Sequence, residues 1–322
     1  MQHMRKIKKI ARGLTLLMTV CLLSAGCVHA ESVETEADIS GTEGGSIETE
    51  AKNSHDLIAI ISAMDNEISL LLAHADIDHE DQFGNKTYHV GTLCGKQVII
   101  VKAGIGKIDA AAGMATLLNM YHPSDVIFTG IAGGVGDETK VLDLVVATDL
   151  VQHDYGMVTN DGFQWSGAEI GGKKYYMCHP DLVNLAYDNA VEILGKEHVF
   201  EGTIATGDQF IASEDYVQKL QNDFGAIACE MEGAAVGKIC TEYEVPFVVI
   251  RAMSDKADGK AESTYINMAD IAADNSCKIV MGMLEDMTAE EAASNTPDGQ
   301  PVEAAETEEV LTEAEAAEEK AA

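Results

Sequence analysis

Three carboxylates in this 322-residue chain stand in apolar company. Glu67 lies in AMDNE, directly after the run LIAIISAM; Glu232 lies in the small and apolar stretch AIACEMEGAAVG; Asp255 ends the run PFVVIRAMSD. An unpaired ionised carboxylate is expensive to bury, so such a group either finds partners or holds a proton above its ordinary range. Arg251 lies four residues before Asp255 and is the only arginine beyond Arg12. Cleaving a glycosidic bond asks for this equipment: an acid for the leaving group, a carboxylate to activate water, and negative charge near an oxocarbenium-like sugar. Simpler readings also exist for each acid. Glu230 and Glu232 could lie on the wet face of a helix, although residues two apart point about 200° from each other and do not readily share a face. Asp255 could cap a turn, and Glu67 could be an ordinary first-turn acid. Phosphate-ester chemistry fits poorly, because one arginine in an acidic chain is weak equipment for a polyanion.

These residues must be held by the elements around them. Apolar runs without alternation recur at 57–64, 97–106, 125–134, 143–153, 201–210 and 246–255, each ending near Gly, Asp or Ser, which predicts strands covered on both faces. Helical patterns lie between or after them at 65–75, 106–121, 181–194, 231–243 and 265–287. Strand, turn and helix repeated in this way predict a single-domain three-layer α/β/α fold with a mixed, largely parallel central sheet. In such sheets ligands sit at the carboxyl ends of the strands. Met64 and Glu67, AGIGK, TGIAGG, TGDQFIAS, and Arg251, Ser254 and Asp255 all fall at such ends. The glycine-rich turns match neither G-x-G-x-x-G nor G-x-x-x-x-G-K-[ST], so neither dinucleotide binding nor a P-loop is indicated.

The formal net charge is −33. Residues 1–30 read as an export signal, with Arg5, Lys6, Lys8, Lys9 and Arg12 before an apolar stretch from Leu14 to Leu23. Two processing routes compete: LSAGC resembles a lipobox that would leave a lipid on Cys27, and VHA would permit cleavage after Ala30. The acidic, Gly- and Ser-containing segment that follows favours the lipoprotein, tethered to the membrane only through that lipid. Residues 31–54 form an acidic linker, 55–287 the folded domain and 288–322 an acidic tail; linker and tail have little to bury and are expected to be disordered. Setting aside the leader, linker and tail leaves about −20 on residues 53–284, a surface that repels nucleic acid. Cys94, Cys178, Cys229, Cys240 and Cys277 are odd in number with no C-x-x-C spacing, so they read as buried thiols, with no zinc site and no disulfide framework.

AMDNE, AGIGK, TGIAGG, TGDQFIAS, CEMEGAAV and VPFVVIRAMSDKAD occur in an order and spacing that resembles the bacterial 5′-methylthioadenosine/S-adenosylhomocysteine nucleosidases of the nucleoside phosphorylase/hydrolase superfamily. The resemblance spans about residues 57–285. It implies a nucleoside phosphorylase-like fold, a homodimer, an adenine nucleoside as substrate, and hydrolysis of its N-glycosidic bond without metal or cofactor. Motif by motif, it implies that Asp255 protonates N7 of the departing adenine with Ser254 beside it, that Glu67 activates water, and that Arg251 holds Glu67 in place. Glu232 would hold the ribose hydroxyls, with Met64 and Met231 against the sugar; Phe210 would stack on the base and the backbone of Ile211 read its edge. Tyr265 would line the pocket for the 5′ substituent. The chain departs from the pattern at Ile131, where Ser or Thr is common, and in the polar segment 151–177. Two alternatives stand beside hydrolysis: a phosphate-dependent phosphorylase, for which Lys102 and Lys107 near AGIGK are the available cations, and a non-catalytic surface lipoprotein that binds nucleosides.

Overall fold

The computed structural model describes residues 57–165 and 175–294. The leader with Cys27, the acidic linker and nearly all of the tail lie outside the described residues.

Apolar β-branched runs form the centre of the sheet. β1 (Leu57–Ser62) pairs in parallel with β4 (Lys96–Lys102) on one side and β5 (Asp125–Gly134) on the other, and β12 (Phe247–Asp255) runs parallel to β5. Every residue of β12 is buried, which fits a strand with both faces covered and explains its unbroken apolar sequence. β6 (Leu144–Gln152) is antiparallel to β12 and parallel to β10 (Val199–Thr206), which pairs with β11 (Ala226–Glu230). β11 then returns to pair with β5 through Ala228 opposite Gly134 and Cys229 opposite Gly133. The strands β5, β12, β6, β10 and β11 therefore close into a ring, which brings the ends of β11, β12 and β5 together.

The predicted mixed α/β fold is present. Helices α1 (Ser69–His74), α2 (Lys107–Tyr121), α3 (Pro180–Leu194), α4 (Glu214–Phe224), α5 (Gly233–Tyr243) and α6 (Ala261–Ser294) accompany the strands. Some details differ from the pattern reading. The stretch expected to be one helix from 65 contains a turn holding Glu67, followed by the short α1. Residues 76–93 form the antiparallel hairpin β2 (Asp76–Phe83) and β3 (Lys86–Leu93), which extends the sheet beyond β4. β2 is largely exposed and polar, so no apolar run announces it. Two short strands, β7 (Gly156–Thr159) and β8 (Gly162–Trp165), make a separate hairpin, and β9 (Tyr176–Met177) pairs with β6. The last helix continues beyond Met287 to Ser294.

Close approach explains one glycine in the sheet. A Cβ on Gly91 in β3 would lie 2.2 Å from the Asp76 carbonyl oxygen and 2.8 Å from Ile77 Cα, beside the register shift between Ile77 and His79. Those atoms are backbone and cannot swing aside. Gly91→Ala is expected to destabilise the protein by about 1–3 kcal/mol, as overpacking does. Urea unfolding checks this, and an unchanged midpoint would show that the hairpin slides freely.

Candidate active site

A cleft of about 250 Å³ opens where the strand ends converge, a little below the ~300–1,000 Å³ usual for small-molecule sites. Met64, Glu67, Phe210, Met231, Glu232, Ser254, Asp255 and Tyr265, all singled out in the sequence, line it. Ile211 lines a smaller recess that shares Phe210, Met231 and Asp255 with the cleft. Arg251 does not line the cleft; it lies behind it, 1% exposed.

Each carboxylate is held by backbone geometry. Glu67 folds back from its turn so that Oε2 accepts the N–H groups of Ala63 at 2.9 Å and Met64 at 2.8 Å, while Oε1 accepts that of Ile131 at 2.9 Å. Gly130 makes the space: a Cβ there would lie 2.5 Å from Glu67 Oε1. Burial raises the Glu67 pKa, and the Arg251 charge and the three N–H bonds oppose the rise. Asp255 follows a register shift in the β12–β5 pairing, where Ser254 is the extra residue between Met253 and Asp255. Such bulges re-aim side chains near active sites. Its Oδ2 lies 2.8 Å from the Ser254 hydroxyl and its Oδ1 accepts the N–H of Ala257 at 2.7 Å. Ala257 itself is in the left-handed region at φ 51°, an uncommon conformation for a residue with a Cβ. Burial pushes the Asp255 pKa up, against those two hydrogen bonds.

Glu230 departs from the helical pattern that would leave it wet. It ends β11, and the helix begins only at Gly233, so Glu230 and Glu232 are both buried. Oε2 of Glu230 accepts from Arg251 Nη2 at 2.9 Å and from the N–H groups of Glu232 at 3.0 Å and Gly233 at 2.6 Å; Thr206 donates to its Oε1. Arg251 was expected to hold Glu67. Its hydrogen bonds go instead to Glu230 and to the carbonyls of Phe128 and Ile250, with the guanidinium 4.0 Å from the centre of the Phe128 ring, so it reaches Glu67 through charge alone. A signal for Glu230 is present in the chain: an acid two before Glu232 at the end of the short β-compatible run AIAC. Oε1 of Glu232 accepts the N–H of Gly106 at 2.7 Å. Burial first, and then the neighbouring Glu230, push its pKa up to about 8.

The rest of the wall is apolar. Phe210 and Tyr265 meet edge to face at 5.8 Å between ring centres, and the Tyr265 hydroxyl lies 3.6 Å from Met64 Sδ. Ile105, Ile131, Ala63, Ala132 and Cys229 add to it, and Glu230 joins Glu67, Glu232 and Asp255 at the lining. Among the described residues no Lys, Arg or His lines the cleft. Lys102 pairs with Asp65 at 2.5 Å and Lys107 with Asp154 at 2.5 Å. Among the described residues no group of three or more His, Cys, Asp and Glu is placed to hold a metal ion.

A ring-closed mixed sheet with a carboxylate-lined cleft at its strand ends defines a class, and the chain belongs to the phosphorylase superfamily, which it matches over residues 57–285. Within that family it is 38% identical to the 5′-methylthioadenosine/S-adenosylhomocysteine nucleosidase of Chromohalobacter salexigens, an alignment covering 71% of this chain and 96% of that one. The structure of the corresponding Neisseria meningitidis nucleosidase in complex with methylthio-immucillin-A is similar at TM-score 0.66 and 34% identity, covering 72% of this chain and 99% of that one. Futalosine hydrolase of Helicobacter pylori is similar at TM-score 0.66 and 31% identity, covering 72% and 98%.

The raised Glu232 pKa sets a sign for stability. A carboxyl whose pKa is higher folded than unfolded contributes stability that is fully present below about pH 4.5 and is lost as pH rises through about 8. Over that window this one group costs up to about 1.4 kcal/mol per pH unit. Glu232→Gln should flatten the fall in stability between about pH 5 and about pH 8, measured by urea unfolding. Parallel wild-type and variant curves would show that Glu232 titrates normally.

Proposed function

We propose that this protein is a nucleosidase that hydrolyses the N-glycosidic bond of 5′-methylthioadenosine, S-adenosylhomocysteine or a related adenine nucleoside, releasing adenine and the ribose derivative. The observation that carries the reading is a small cleft lined, among the described residues, by four carboxylates and no cation. A neutral nucleoside and a cationic, oxocarbenium-like sugar suit such a site, and a phosphate dianion does not.

In this reading Asp255, whose pKa burial raises, acts as the acid that gives a proton to N7 of the base, and the Ser254 hydroxyl then steadies the carboxylate left behind. The bond from C1′ to the base breaks with its electron pair leaving on adenine. Water attacks C1′ and passes a proton to Glu67, whose three backbone hydrogen bonds fix the carboxylate for that task. Glu232 has one oxygen bound to Gly106 and offers the other to the ribose hydroxyls. Met64 and Met231 pack on the sugar, Phe210 stacks on the base, the Ile211 backbone reads its edge, and Tyr265 lies toward the 5′ substituent. Arg251 acts through Glu230 and through its charge on Glu67.

Ile105 at the cleft and the nearby Ile108, 57% and 84% exposed, are large apolar side chains of the kind a second copy covers, which supports a homodimer. The leader and the LSAGC segment support export and attachment through a lipid on Cys27. Cys27→Ala is then expected to move the protein from the membrane fraction to the medium or periplasm. Retention in the membrane fraction by the variant would defeat the lipid anchor.

Adenine should be released from methylthioadenosine at the same rate with and without phosphate. Asp255→Asn should lower kcat by about 10²–10⁴-fold while nucleoside still binds, the range for losing a general acid. Strict dependence on phosphate would make the protein a phosphorylase, binding without any release would make it a receptor, and normal turnover by the variant would remove Asp255 from the mechanism.

A further inference from the structure

Lys107 closes the AGIGK motif and has no place in the chemistry above, yet it joins three segments, two of which run into the cleft. Its side chain is only 16% exposed, with Nζ 2.5 Å from Asp154 Oδ1 and 3.6 Å from Asp208 Oδ2. Its backbone N–H, in the first turn of α2, donates to Asp208 Oδ1 at 2.9 Å, and the N–H of Asp208 donates to Asp154 Oδ2 at 2.9 Å. The connections are closed: each of the three residues is bonded to the other two.

Two of the three segments lead directly to the site. Gly106, the residue before Lys107, donates to Glu232, and Ile105 before it lines the cleft. Asp208 lies two residues before Phe210, and Asp154 follows β6. Phe210 is half exposed and its segment is not part of a helix or strand, so no regular hydrogen-bond ladder fixes it. Without the ammonium, the carboxylates of Asp154 and Asp208 would face each other with their main attraction gone, and like charges at this range repel.

We propose that Lys107 is a positioning residue that locks the Phe210 segment to the Gly106 segment, and so presets the spacing between the grip on the base and the Glu232 grip on the ribose. This rests on the nucleosidase reading for the identity of the ligand. Lys107 touches neither the reacting atoms nor the cleft wall, so its removal should weaken binding in the ground state and the transition state alike.

The test uses the full-length protein and reads adenosine binding by calorimetry in an Asp255→Asn background, where turnover is suppressed, together with steady-state hydrolysis of methylthioadenosine by protein that keeps Asp255. Lys107→Met should raise KM, and Kd for adenosine, by about tenfold with kcat within about threefold, the size expected for losing a hydrogen-bonded charge that orders a binding loop. Lys107→Arg should recover most of the loss. Asp208→Asn keeps an acceptor for the α2 N–H and leaves the Lys107–Asp154 pair, but removes the 3.6 Å pair that ties Lys107 to the Phe210 segment; it should weaken binding in the same direction, with little added effect in the double variant. It also provides the test if Lys107→Met does not fold. Unchanged Kd in both variants, additive losses in the double variant, or a fall in kcat at constant KM would overturn the proposal. Because Kd is read without turnover, weakened binding in a protein that releases no adenine would sustain the lock and refute the hydrolase reading.

Discussion

The contact on which the site depends is the buried ion pair between Arg251 and Glu230, 2.9 Å apart and both almost without solvent. Taking the two charges out of water costs several kcal/mol each, and attraction alone does not reliably return it. Here the pair is embedded in further bonds. Glu230 also accepts two backbone N–H groups and the Thr206 hydroxyl, and Arg251 rests on the Phe128 ring. The two N–H groups belong to Glu232 and Gly233, the point at which β11 gives way to α5. The ion pair therefore fixes the turn that presents Glu232 to the cleft. Arg251 is on β12, four residues from Asp255, so the same pair ties the Glu232 turn to the strand that carries the acid. Losing either partner would leave a charge buried alone in the middle of the molecule.

Much of this is legible in the sequence, for a physical reason. An acid among small and apolar residues is costly unless it is used or paired, so Glu67, Glu232 and Asp255 stand out from residue type and neighbours alone. Strands buried on both faces also leave a plain trace, because a run such as FVVIRAMSD has no wet side to interrupt it. What escapes is information carried by boundaries. Reading Glu230 and Glu232 as positions on one helix argues against two buried acids; with β11 ending at Glu230 and α5 beginning only at Gly233, both are buried. The hydrogen-bond partner of Arg251 escapes for the same reason, since Glu230 is then assigned to solvent. α4 escapes the pattern despite its signals: Ser213 accepts the Tyr216 N–H as an N-cap, and Gly225 ends the helix at φ 66°. The polar strand β2 gives no signal of its own and is defined only by its pairing with β3.

The electrostatics of the cleft explain how one framework can serve hydrolysis. Four carboxylates in so small a space repel each other, and the protein lowers that cost differently at each. Glu67 has three backbone N–H groups and the nearby Arg251 charge. Glu230 takes the arginine itself. Asp255 and Glu232 have fewer donors, and burial raises the pKa of both, as it does that of Glu67. The donors are mostly backbone, so the arrangement is written into turns and bulges more than into side chains: the shift at Ser254, the turn around Glu67, and the glycine at 130 that leaves room for its carboxylate.

That distribution bears on which nucleophile the cleft can accept. Phosphate arriving at C1′ would bring up to two negative charges into a space where acids already outnumber cations and where Lys102 and Lys107 are engaged by aspartates. Among the described residues, nothing at the cleft wall offers the guanidinium or ammonium groups that make such a transfer favourable. Water needs only one carboxylate held in a fixed position, and three backbone hydrogen bonds hold Glu67 so. The superfamily name covers both reactions, but in this molecule the single arginine of the folded domain is committed to Glu230, and a nucleophile that arrives uncharged is the one the remaining charges can tolerate.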